Sequence, residues 1–120
     1  MSFGNIVNNR LELIDWAQLR DLSGGDADFE QELLQIYLQD SLQQLQILKQ
    51  AATAIDLPRV REIAHHIKGA SANVGAVSVS AAAAMVENAA KESKPDEIAT
   101  PLSQLSQQLD ALQGEMEQHF

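Results

Sequence analysis

Ala64-His65-His66-Ile67-Lys68-Gly69-Ala70-Ser71-Ala72-Asn73-Val74-Gly75-Ala76 is the stretch on which this chain turns. Val60, Ile63, Ile67, Ala70 and Val74 recur at spacings of three and four, the stripe of a core-facing helix. At about 100° per residue, His65 lies about 160° from both Ile63 and Ile67 and so points to solvent. Lys68 and Gly69 stand three and four residues after His65 and share its outward surface. His66 falls on the shoulder of the apolar stripe and is the less exposed of the two histidines. Ser71, about 120° round from His65, reads as a small packing residue.

That outward face calls for a chemical reason. Glycine inside a helix costs roughly 1 kcal/mol relative to alanine. Beside an exposed histidine it removes a side chain where another molecule must come close. Imidazole is a nucleophile near neutral pH, because much of it is unprotonated. A lysine one turn away offsets the negative charge that arrives if a phosphoryl group lands on the ring. Histidine, cation and bare backbone together make a docking site for phosphoryl transfer.

His65-His66-Ile67-Lys68-Gly69, followed by Ser71, Val74 and Gly75, resembles the signature of histidine-containing phosphotransfer (HPt) domains of two-component phosphorelays. That pattern is a histidine, any residue, Ile or Leu, Lys, Gly, then small residues and a second glycine, and every position is matched. Gly24-Gly25-Asp26, ahead of Phe29, Leu33 and Leu34, is similar to the family's lead-in, and Met85-Val86-Glu87 resembles its Leu-Glu stretch after the motif. The resemblance covers roughly Asp15 to Met116. It implies that His65, three residues before the lysine, is the phosphoacceptor. It further implies that Lys68 serves phosphate charge or docking, and that Gly69 gives clearance for the partner.

Composition narrows the alternatives. The 120 residues make one domain with a single core, 45 % apolar but only 4 % aromatic, which suits helices built on Leu, Ile, Val and Ala. There is no cysteine, so neither disulfides nor thiolate zinc sites arise. No apolar run approaches the ~18 residues that span a bilayer, and the N-terminus lacks a basic-then-apolar signal. A cytoplasmic protein that stays off membranes is expected. A net charge of −9 argues against nucleic acid, which needs a basic stripe. Yet Arg59, Arg61 and Lys68, three of only eight basic residues, lie on the His65 helix, leaving that face locally less acidic.

Outward from the motif, residues 1–13 show little periodicity and read either as a flexible arm or as a segment packed across the bundle. Asp15 can cap a short helix over Trp16 to Leu22, with Gln18 as reciprocal partner, and Gly24-Gly25 ends it. Asp26 or Asp28 starts the longest helix, to about Ala54, striped by Leu34, Leu38, Leu42, Leu45, Leu48 and Ala52. Asp56 caps the motif helix, Pro58 is tolerated in its first turn, and Gly75 ends it. Ser78 or Ser80 opens a fourth helix to about Glu92, where Lys94-Pro95 breaks it. The last helix carries Leu102, Leu105, Leu109, Leu112 and Met116. Thr100-Pro101 forms its cap and first residue, with Glu97 to Ala99 a separate turn. The expected fold is all-α: an antiparallel up-down four-helix bundle with a short extra N-terminal helix.

Blander roles suit the remaining candidates. His66 reads as a packing or hydrogen-bonding residue, Trp16 and Phe29 as core anchors, and His119 as part of a frayed terminus. Glu62, His65 and His66 do not converge on a metal ion from one helix face. Walker-type, serine-hydrolase and kinase nucleotide-binding motifs are absent. The chain is therefore expected to be a phosphoryl carrier and not an enzyme. It has no metal or cofactor of its own, and Mg²⁺ is expected in the partner receiver domain. The expected partners are response-regulator receivers, with a hybrid histidine kinase as a further candidate, and the expected state is a monomer. Two other readings stand beside this one: a phosphorylation-independent helical adaptor, and the phosphoacceptor module of a chemotaxis-type or hybrid histidine kinase.

Overall fold

Helix stops and caps set the element boundaries in the computed structural model, which describes residues 13–120. Helix α1 (Trp16–Ser23) starts at Asp15, whose carboxylate accepts from the Gln18 N–H at 3.1 Å, and ends at Gly24 in the left-handed region (φ 69°). The reciprocal half of the expected capping box is not formed. Gln18 instead sends Nε2 across the fold, donating to the Ala72 carbonyl at 2.6 Å. It thus ties α1 to the far end of the motif helix, whose last carbonyls have no partner within the helix. Helix α2 (Ala27–Thr53) is capped by Asp26, not Asp28.

Helix α3 (Leu57–Val74) is capped by Asp56, carries its proline in the first turn and ends at Gly75 with φ 81°. A side chain at Gly75 would also crowd Asp15, whose backbone oxygen lies 3.0 Å from where a Cβ would sit and whose N–H donates to the Gly75 carbonyl at 2.7 Å. That glycine therefore closes the motif helix and seats the N-terminal element.

Helix α4 (Val77–Lys91) begins one to three residues earlier than Ser78 or Ser80 would place it. Its N-cap is Ala76, which offers no side-chain oxygen, and Ser80 lies inside the helix donating to the Lys68 carbonyl at 3.2 Å. Helix α5 (Ala99–His119) likewise starts before the Thr100-Pro101 pair, and the preceding 3₁₀ turn is Pro95–Glu97. In both cases a buried apolar residue sits at the junction, Ala76 at 0 % and Ile98 at 4 % exposure, and packing outranks capping chemistry.

Helices α2, α3, α4 and α5 pack in sequence order, and α5 returns to α2, closing the four-helix bundle; α1 lies against α2 and α3. Leu34, Leu45 and Leu48 of α2, Val60, Ile63 and Ile67 of α3, and Leu105, Leu109 and Leu112 of α5 form the buried core. Leu42, Ala52 and Ala70 are only half-buried at its edge. From α4 the core receives small side chains, Val79, Ala82, Ala83, Val86, Ala89 and Ala90, so α4 approaches α3 closely. Of residues 1–13, expected as an arm or a crossing segment, only Leu13 falls among the described residues, and it is buried in the core.

Two expectations about single residues, Phe29 and His119, are corrected, and that for Ser71 is borne out and extended. Phe29 is 44 % exposed and is no core anchor. Trp16 is half-buried, and its ring stacks on His119 with centroids 4.0 Å apart, so the C-terminal histidine is held against the bundle and not frayed. Ser71 is fully buried, as a packing residue should be, but it also shares a 2.6 Å hydrogen bond with the Tyr37 hydroxyl. That pair fixes α2 against α3. Burial pushes the Tyr37 phenol above its ordinary value, against the opposing effect of its hydrogen bond with Ser71.

Candidate functional site

The outward face of α3 carries His65 with its side chain 67 % exposed, as the helical phase requires. Gly69, one turn further on, has nothing within 4 Å of where a Cβ would be. Nothing in the fold therefore needs a glycine there, and the residue leaves open ground beside the imidazole. His66 is less exposed than its neighbour and is hydrogen-bonded through Nε2 to Asp40 of α2 at 3.0 Å.

Lys68 is not a free cation. Its Nζ lies 2.6 Å from one oxygen of Glu87 on α4, and the other oxygen of the same carboxylate lies 2.7 Å from His65 Nδ1. Glu87 is only 13 % exposed. Burial disfavours its charge, but the hydrogen bonds from Lys68 and His65 outweigh that and hold the carboxyl below its ordinary value. An ionised carboxylate only accepts hydrogen bonds, so Nδ1 carries the proton and donates. The lone pair of the neutral ring is then on Nε2, which has no protein partner among the described residues.

The close approach of α4 to α3 sets this geometry. Val86 is fully buried, which places Glu87 at the edge of the α3–α4 seam, against His65 and Lys68. The result is an exposed imidazole whose tautomer is fixed from below, an ammonium that neutralises the fixing carboxylate, and a bare approach.

A protein-family model described as the Hpt domain matches residues 32–115. The chain belongs to the Hpt domain family. Among solved structures, it is similar to histidine-containing phosphotransfer protein B (HptB) from Pseudomonas aeruginosa, with 25 % identity and a TM-score of 0.83, over 90 % of this chain and 94 % of that one. It also shares its fold with a rice protein described as a histidine-containing phosphotransfer protein. There the identity is 18 % and the TM-score 0.80, over 97 % of this chain and 84 % of the other. No curated protein matches the chain. The Hpt match takes in α3 and α4 whole, and with them His65, Lys68, Gly69 and Glu87.

The three residues singled out from sequence thus come together on one face. The sequence marks Glu87 only through the Met85-Val86-Glu87 stretch and carries no sign of its place between His65 and Lys68, nor of the parts taken by Asp40 and Tyr37. Glu62, His65 and His66 part ways: Glu62 pairs with Arg59, His65 with Glu87 and His66 with Asp40. No group of three or more metal-ligating side chains exists among the described residues, and no helix there is long and apolar enough to cross a membrane.

Proposed function

We propose that this Hpt protein is a phosphorelay intermediate that carries the phosphoryl group on Nε2 of His65. The observation that carries the reading is the 2.7 Å bond from His65 Nδ1 to Glu87, which leaves the outward nitrogen with the lone pair. Nε2 attacks the phosphorus of an aspartyl phosphate in a receiver domain. The N–P bond forms, the acyl O–P bond breaks, and its electron pair leaves with the aspartate carboxylate. Positive charge that builds on the ring is met through Nδ1–H by Glu87. Onward transfer to a second receiver runs the same step in reverse, with that receiver's aspartate as nucleophile.

Lys68 cancels the charge of Glu87, so the carboxylate does not repel the arriving phosphoryl group. Gly69 lets the receiver's aspartate reach the in-line position. The receiver supplies the Mg²⁺ and most of the transition-state electrostatics. The carrier binds no nucleotide and no metal of its own. Phosphotransfer profiling tests this reading: the protein is incubated with a panel of ³²P-phosphorylated receivers, and label should pass to it from at least one, in acid-labile and base-stable form. No exchange with any receiver would favour the adaptor reading.

A further inference from the structure

Four charged side chains flank His65 on α3 and α4, and three of them are already engaged. Glu87 takes Lys68 and His65, and Glu62 pairs with Arg59 at 3.4 Å. Arg61 has no carboxylate within ion-pair distance among the described residues. It stands four residues before His65 on the exposed face of α3, about 5–6 Å away between Cβ atoms. Helical side chains lean toward the N-terminus, so the imidazole overlies the turn that carries Arg61 and Glu62. An open groove of about 350 Å³ lies there, lined by Pro58, Arg61, Glu62, His65 and Glu87.

The charges around this groove nearly cancel before phosphorylation. Lys68 offsets Glu87, Arg59 offsets Glu62, and Arg61 remains as an uncompensated cation. A phosphoryl group adds about −1.5 to −2 near neutral pH. Lys68 is already matched by the charge of Glu87, so the pair brings the phosphoryl group no net positive charge. Lys91, one turn past Glu87 on α4, is exposed but does not line the groove.

We propose that Arg61 is the anion-binding side chain for the phosphoryl group on His65, holding it in the groove beside Pro58. The inference rests on His65 as the phosphoacceptor. It gives the motif helix two cations with separate work: Lys68 for the carboxylate that fixes the ring, Arg61 for the group the ring carries. A guanidinium suits this, since it stays charged and presents a planar fork of donors to phosphate oxygens.

The test needs no partner protein. The full chain is phosphorylated with phosphoramidate, and the last protonation step of the phosphohistidine is followed by ³¹P NMR against pH. The His65 resonance is the one missing from His65→Gln. A unit charge about 5 Å away in water shifts that acid dissociation constant about fourfold. Arg61→Ala should therefore raise the phosphoryl pKa by roughly 0.6, and Arg61→Lys should restore most of the difference. Salt at 1 M should shrink it, while the unphosphorylated variants melt like wild type. Superimposable titrations of wild type and Arg61→Ala, with the His65 resonance present, would overturn the role of Arg61 alone. Absence of any resonance removed by His65→Gln would overturn His65 as acceptor, and the inference with it.

Discussion

Replacing Gly69 should move stability and transfer in opposite directions. A Cβ at this position meets nothing within 4 Å, and the residue lies mid-helix on the exposed face of α3. Helix propensity is then the only sizeable stability effect, about 1 kcal/mol in favour of alanine over glycine and slightly less for leucine. With ~2.1 cal/mol/K of unfolding entropy per residue over 120 residues, that gain raises Tm by about 4 °C. A side chain at 69 leans back over the preceding turn, where His65 stands. Leucine would fill the space the receiver's aspartate must cross to come within ~3–3.5 Å of the ring, and a 1 Å misplacement costs on the order of 100-fold. Gly69→Leu should thus melt about 4 °C higher and transfer at least ~100-fold more slowly, with Gly69→Ala equally stable and intermediate in rate. The assay is a thermal melt beside kcat/KM for transfer from a phosphorylated receiver. A destabilised Gly69→Leu would make the glycine a packing residue. Normal melting with wild-type transfer would remove this face as the landing site.

Glu87→Gln should slow transfer and cost about 1.5–3 kcal/mol at neutral pH, the range for hydrogen bonds to charged groups. Folding lowers the Glu87 pKa, so its contribution is complete above the ordinary carboxylate range and is lost as pH falls through the lowered value. The stability gap between wild type and Glu87→Gln, read by denaturant titration, should close over that acid window and not on the alkaline side. Ile55, exposed and β-branched, sits at φ 53° in the turn between α2 and α3. Ile55→Asn should raise the unfolding free energy by up to ~1 kcal/mol, read as a higher denaturation midpoint at an unchanged m-value, and a lower midpoint would mean the strain is not there. Pure protein with Mg-ATP should neither hydrolyse it nor label itself, and self-labelling would contradict the carrier reading.

The bundle was legible because its seams are written in three-four spacing, and Asp15, Asp26, Asp56, Gly24 and Gly75 punctuate them. The starts of α4 and α5 were not, because Ala76 and Ile98 bring no capping oxygen and hold their places by burial. The ends of α2 and α4 are turned by Ile55 and Ser93 with positive φ, where sequence would call for glycine. Within the site, the exposure of His65 and the bare patch at Gly69 follow from the phase of a single helix. Glu87 lies 22 residues from His65 on another helix, so its role depends on how closely α4 packs. Nothing within α3 reveals that Lys68 is already paired. His119 and Trp16, at opposite ends of the chain, meet only through tertiary packing.

The central claim is that His65, and not His66, bears the phosphoryl group. The direct measurement is transfer of ³²P from a phosphorylated receiver that labels the wild-type protein to His65→Gln and His66→Gln, side by side. His65→Gln should take no label, and His66→Gln, which loses only the bond to Asp40, should keep most of it. Label retained by His65→Gln and lost by His66→Gln would contradict the account.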